Sequence, residues 1–144
     1  MVKSFLIFFI LMTSLNVYAN GFTKGSEYEP PLCPLKIPKI SNITILENAA
    51  KSPLEKDASI TCSDFSIKEA DVRRYLSKAK VTNDQDAHNT LDWSPCYASG
   101  KVTFKDGETA EWYVSQLRSG SLVFNNGKKL TLYCPKCTFK PFVE

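Results

Sequence analysis

The chain has 144 residues, with 18 lysines and arginines against 15 aspartates and glutamates and a formal charge of +3. A hydrophobic share of 43% is enough for one domain with a modest core, and it excludes a low-complexity or highly charged disordered chain. The basic residues are scattered, the densest group being Arg73, Arg74, Lys78 and Lys80. Without a basic stripe interleaved with aromatics, the composition points away from nucleic acid.

Residues 1–19 divide into a charge at Lys3, an unbroken apolar run from Phe5 to Met12, and Val17-Tyr18-Ala19 at the end. This is the pattern of a secretory signal cleaved after Ala19. The run falls well short of the roughly 20 residues that cross a bilayer, and no second candidate follows. No cysteine sits at the expected cut, so a lipid anchor is not indicated. Excluding this segment removes Lys3 and leaves a charge near +2, which implies nothing about partners. The expected product is an exported, soluble protein.

From Asn20 to Ala58 the chain is weakly patterned. Pro30, Pro31, Pro34 and Pro38 favour extended conformations and rule out a helix there. Ile43-Thr44-Ile45 is β-branched and could add a short edge strand to what otherwise reads as a leader arm over 20–58. Asn42-Ile43-Thr44 has the form of an N-glycosylation triplet, which matters only in a eukaryotic secretory route.

The domain proper is expected over 59–144. Ser66 with Glu69 forms a capping box, and Val72, Tyr75, Leu76 and Ala79 share one helical face, predicting a helix over 66–80. Thr82 with Gln85 opens a shorter helical turn through His88. These helices are expected to cover one face of a sheet.

Four strands follow, separated by turn residues at Asp106-Gly107 and Asn126-Gly127. Ala98, Val102 and Phe104, then Ala110, Trp112 and Val114, then Leu122 and Phe124, then Leu130 and Leu132 place every inward residue at an even number. Opposed residues in an antiparallel pair share a face, so their numbers must sum to an even value. The tight loops must therefore be three residues long, Lys105-Asp106-Gly107 and Asn125-Asn126-Gly127, each closed by a left-handed glycine. The same register puts Gly100 opposite Trp112, so that the indole lies over a position without a side chain. The predicted fold is α+β, a disulfide-stapled four-stranded antiparallel meander with one or two helices on one face.

Five cysteines are available to staple it: Cys33, Cys62, Cys96, Cys134 and Cys137. In an oxidising compartment such a count reads as disulfides with one thiol left over. In a simple meander Cys96 and Cys134 lie three strand spacings apart, roughly 14 Å, beyond the reach of a direct bond unless the sheet curls. Cys62 is therefore expected to bond one of Cys134 and Cys137, and Cys96 the other. Cys33, in the leader with no visible partner, is the candidate free thiol.

The odd-numbered face carries Tyr97, Thr103, Glu111, Tyr113, Ser115, Val123, Thr131 and Tyr133. Three tyrosines on a nominally wet face exceed what solubility needs, and tyrosine is a preferred contact residue. Tyr97, Glu111, Tyr113 and Tyr133 are the candidate partner surface, unless the leader folds over them. Cys134-Pro-Lys-Cys137 has the spacing of a redox dithiol or half a zinc knuckle. It follows a strand, however, where no helix dipole lowers a thiol pKa, and a structural disulfide is the favoured reading. His88, the one histidine, lacks a nucleophile or glycine-rich phosphate loop to work with and reads as a surface residue, while Trp93 reads as an anchor between helix and sheet. No catalytic residue, metal or cofactor is expected.

The run Ser94-Pro95-Cys96-Tyr97-Ala98-Ser99-Gly100, followed by Asp106-Gly107, Trp112, Gly127 and Tyr133-Cys134-Pro135-Lys136-Cys137, resembles small, largely uncharacterised exported proteins of Gram-negative bacteria. The resemblance implies a periplasmic location and brings no catalytic residue. The expected function is that of a non-enzymatic binding protein, an inhibitor or immunity-type partner of another exported protein. The alternatives are a thiol-disulfide or metal-handling protein acting through Cys134 and Cys137, and an envelope accessory module.

Overall fold

In the computed structural model, which describes residues 21–143, the alternating segments form strands where the period-two pattern and the turn residues place them. The expected signal segment lies outside the described residues. The strands are β1 (Cys33–Pro34), β2 (Ile40–Lys51), β3 (Lys80–Thr82), β4 (Cys96–Phe104), β5 (Thr109–Ser115), β6 (Ser119–Phe124) and β7 (Lys129–Tyr133). Among the described residues two helices, α1 (Glu69–Lys78) and α2 (Asp84–Thr90), complete an α+β fold. All pairings are antiparallel, in the order β1-β3-β7-β6-β5-β4-β2.

The meander β4 to β7 follows the even-sum register. Gly100 faces Trp112, Thr103 faces Thr109, and Val123 faces Lys129. Both predicted three-residue loops form, with Gly107 at φ 88° and Gly127 at φ 85°. A third loop of the same length joins β5 to β6, and there Arg118 takes the left-handed position at φ 75°. Within the four strands the even-numbered residues from Ala98 to Leu132 face the core, with Leu130 only partly buried but packed against it.

The four-stranded expectation understates the sheet, which has seven strands. Two of the extra strands come from the leader. β2 runs for twelve residues along β4, and β1 pairs with β3 at the opposite edge. The third, β3, occupies residues expected to end one helix and cap the next. The helix boundaries shift accordingly. Phe65 and Ile67 are drawn into the core as extended chain, and Asn48 holds Ile67 like a neighbouring strand, donating from Nδ2 to its carbonyl at 2.8 Å and accepting its N–H at 2.9 Å. Helix α1 therefore starts after Lys68, whose N–H donates to Asp71 Oδ2 at 2.9 Å, and the Ser66–Glu69 box does not form. Asn83, not Thr82, caps α2 by accepting the Asp86 N–H at 2.7 Å.

The leader also shapes the sheet. β1 and β2 are its two outermost strands, six spacings apart, or roughly 29 Å if flat. The chain from Pro34 to Ile40 reaches at most about 22 Å. The sheet must therefore curl until its edges come within reach. Leu35, Ile37 and Ile40 of this connecting strap pack against the core cluster that holds Val72, Tyr75, Leu76 and Ala79, so α1 lies inside the curl with the strap across it.

At the base of α1, Phe142 of the C-terminal segment stacks on Tyr75, with ring centroids 5.5 Å apart, and meets Phe65 edge-on at 5.6 Å. Gly120 gives Tyr75 room: a Cβ there would lie 2.8 Å from the phenol oxygen. Tyr75 Oη donates to the Arg118 carbonyl at 3.0 Å, which also accepts the Cys134 N–H at 3.1 Å. Burial, and then the nearby Tyr133, push the Tyr75 phenol pKa far up, so it stays a neutral donor.

The disulfides are Cys62–Cys96 and Cys134–Cys137, with Cys33 free. This corrects the expected cross-pairing of Cys62 and Cys96 with the terminal pair. The physical reason is the long β2, which ends beside Cys96 and returns the chain to it: Lys51 pairs with Cys96, Ser52 N–H donates to the Pro95 carbonyl, and Cys62 closes the loop. In the chain-entropy description, closing the 34-residue separation contributes about 4 kcal/mol and the three-residue one about 2 kcal/mol.

Gly100 is the tightest point of the sheet. A Cβ there would lie 1.9 Å from the Thr44 carbonyl oxygen of β2 and 2.8 Å from Trp112. Gly100→Ala is expected to lower stability by about 1–3 kcal/mol in urea unfolding, since backbone must move. Unchanged stability would mean that β2 is not held against β4 as described.

Candidate functional site

The odd-numbered face is the convex side of the curl, away from α1. Helix α2 stands on this face, because Asp84 accepts from the Thr131 hydroxyl and lies 3.5 Å from Lys129 Nζ. The expectation that both helices cover the same face is thereby corrected. These two contacts hold the Asp84 carboxyl below the usual carboxylate range, Thr131 first.

Between α2 and the sheet lies a hollow of about 380 Å³, lined by His88, Asp92, Trp93, Tyr113, Ser121 and Thr131 among others. A second hollow, of about 260 Å³, continues toward β2 over Leu46, Glu47, Ser99, Glu111 and Val123. Tyr113 and Ser121 line both, so the hollows form one shallow trough with Tyr113 as the ridge between them. Trp93 is 57% exposed at one end and Leu46 is 63% exposed at the other. Trp93 is thus a wall of the trough and not the buried anchor expected.

Tyr97 and Tyr113 stack with ring centroids 5.2 Å apart. Tyr97 Oη donates to Glu47 Oε2 at 2.7 Å, and Ser99 Oγ donates to Glu47 Oε1 at 3.0 Å. Tyr97, and then Ser99, hold the Glu47 carboxyl below the usual range, while the Glu47 bond raises Tyr97 and burial raises Tyr113. The stack is thus fixed before any ligand arrives, which lowers the ordering cost of binding.

Of the sequence-predicted contact residues, Tyr97, Glu111 and Tyr113 come together on this face. Tyr133 does not join them. It has the right parity but is only 8% exposed, near the Arg118 guanidinium and flanked by β3 and β6. Glu47 and Leu46 were not found from sequence. β2 carries register shifts at three places, each adding residues that break the alternation, so parity could not assign its faces.

Four of the five cysteines are held in disulfides, and Cys33 alone is a free thiol. Cys134 and Cys137 are both fully buried in their mutual disulfide, and Cys62 and Cys96 are bonded to each other, leaving none of these four as a thiolate. Among the described residues no group of three or more His, Cys, Asp or Glu side chains could hold a metal, and no helix is long and apolar enough to cross a membrane. His88 lies exposed on α2. A further hollow of about 580 Å³ at the start of α1 sets Asp64 and Asp71 against Lys68 and Lys140 and so favours neither sign of charge. No protein-family model, curated protein or solved structure matches the chain.

The Glu47 contacts give a pH signature. A carboxyl whose folded pKa is depressed adds stability above its unfolded pKa and loses it as pH falls through the folded one. A carboxyl carbon NMR titration should place the Glu47 midpoint below the ordinary glutamate range, with Tyr97→Phe moving it back up. A midpoint indifferent to Tyr97→Phe would contradict the bond.

Proposed function

We propose that this chain is a non-enzymatic binding protein of the periplasm that recognises another exported protein through the convex sheet face. The observation that carries the reading is the preformed trough: an aromatic ridge of Tyr97 and Tyr113, with exposed Trp93, Leu46 and Val123 along its borders. Trp and Tyr dominate the energetics of protein interfaces because each presents a large rigid area with a polar tip. Glu47, Glu111, Ser99 and Ser121 supply the polar contacts that orient such a partner.

Placement in the periplasm rests on the secretory pattern of residues 1–19, on the resemblance to exported Gram-negative proteins, and on two disulfides, which persist in oxidising compartments. Within this reading, inhibition or immunity is the form of action suited to a small stapled scaffold.

A photo-crosslinker at Val123 in intact cells supplies the partner for a direct affinity measurement. Trp93→Ala with Tyr113→Ala should then weaken binding by about 2 kcal/mol or more, roughly thirtyfold, while the near-ultraviolet circular dichroism stays native apart from the lost aromatics. Full affinity in the folded double variant would remove this face from the interface.

A further inference from the structure

On the concave side, away from the trough, the strap leaves a groove of about 450 Å³ between itself and α1. Its floor is apolar, made by Leu35, Ile37, Ile40 and Leu76. Its rim carries Lys39 from the strap, Arg73 from α1 and Lys105 from the β4–β5 loop, and no carboxylate lines it. All three cations are exposed. Arg73 is held over the groove by a 3.4 Å contact from Nη1 to the Ile40 carbonyl, and the Lys105 N–H donates to the Lys39 carbonyl at 2.8 Å.

The strap's own main chain is the second observation. From Lys36 to Pro38 it lies outside the strands and makes no hydrogen bond to any other described backbone, although the strands on either side of it in sequence are paired. An unpaired segment beside an apolar floor leaves the N–H and C=O groups of Lys36 and Ile37 free for the main-chain pairing that strand addition uses. The cationic rim selects the sign of what can bind.

We propose that this groove is a second docking site, taking an extended segment of a partner protein in which apolar side chains alternate with carboxylates. Leucine-sized side chains enter the floor, the segment's main chain pairs with Lys36 and Ile37, and its carboxylates meet Lys39, Arg73 and Lys105. The groove favours a peptide over a bilayer, because Leu76 is buried and Leu35, Ile37 and Ile40 are partly buried while the three cations are exposed, the reverse of a membrane-seated surface. The site is independent of the convex face.

Fluorescence anisotropy with a labelled peptide of alternating Asp and Leu, titrated with the chain lacking residues 1–19, tests the proposal. Saturable binding is expected, weakened about tenfold by Arg73→Glu with Lys105→Glu, weakened by added salt, and unaffected by Tyr113→Ala. Lys39→Glu alone, on the exposed strap, should weaken it in the same direction and guards against misfolding of the double variant. The proposal is overturned by an absence of saturable binding, by equal binding of a Lys-Leu peptide, by indifference to the charge reversals, or by preference for phosphatidylglycerol vesicles over the peptide.

Discussion

The short strap from Pro34 to Ile40 is the constraint on which the structure depends. It joins the two outermost strands of a seven-stranded sheet with a chain too short to cross that sheet flat. Curling satisfies the length limit and at the same time creates a concave side that α1 fills with Val72, Tyr75 and Leu76. Other features follow from that enclosure. Gly120 is needed where Tyr75 presses on β6, Arg118 takes a left-handed conformation where its carbonyl receives two donors, and Phe142 returns the C-terminal segment to close the base.

Curling leaves the other face convex and open. Its ends are bounded by α2 with Trp93 and by the outer part of β2 with Leu46, and the stacked tyrosines lie between them. β2 is a long edge strand, which in a flat regular form would invite pairing with another chain. Its three register shifts, together with Asn42, Thr44 and Glu47 on the outer side, interrupt that edge. The face, rather than this edge, is left as the surface for recognition, while the unpaired strap offers a different kind of contact on the opposite side.

Much of the meander was legible because its determinants are local. Even-numbered apolar residues, two glycines able to take positive φ, and the sum rule for opposed residues determine β4 to β7, including the placement of Trp112 over Gly100. Ile43-Thr44-Ile45 was legible as an edge strand, but the length and faces of β2 were not, because each bulge inverts the parity and Ile43 and Ile45 face inward at odd positions while Glu47 faces out. The helix starts were misplaced for a non-local reason: Ile67 and Thr82 fall within local helix signals but are claimed by the core or by a strand. The disulfide pairing was misjudged for the same reason, since only the length of β2 brings the chain back to Cys96. Of the contact face, Tyr97, Glu111 and Tyr113 were readable by alternation, whereas the exposure of Trp93 and the burial of Tyr133 depend on where α2 and Arg118 settle.

The measurement that most directly tests this account is native-state hydrogen exchange. If the strap makes leader, helix and sheet one enclosed unit, the amides of Ile43 and Ile45 in β2 and of Leu76 in α1 should open with the same free energy as those of Trp112 and Leu122 in the central strands. An opening of β2 at much lower free energy, with α1 and the central strands still protected, would show that the leader is an appendage and that the curl does not depend on it.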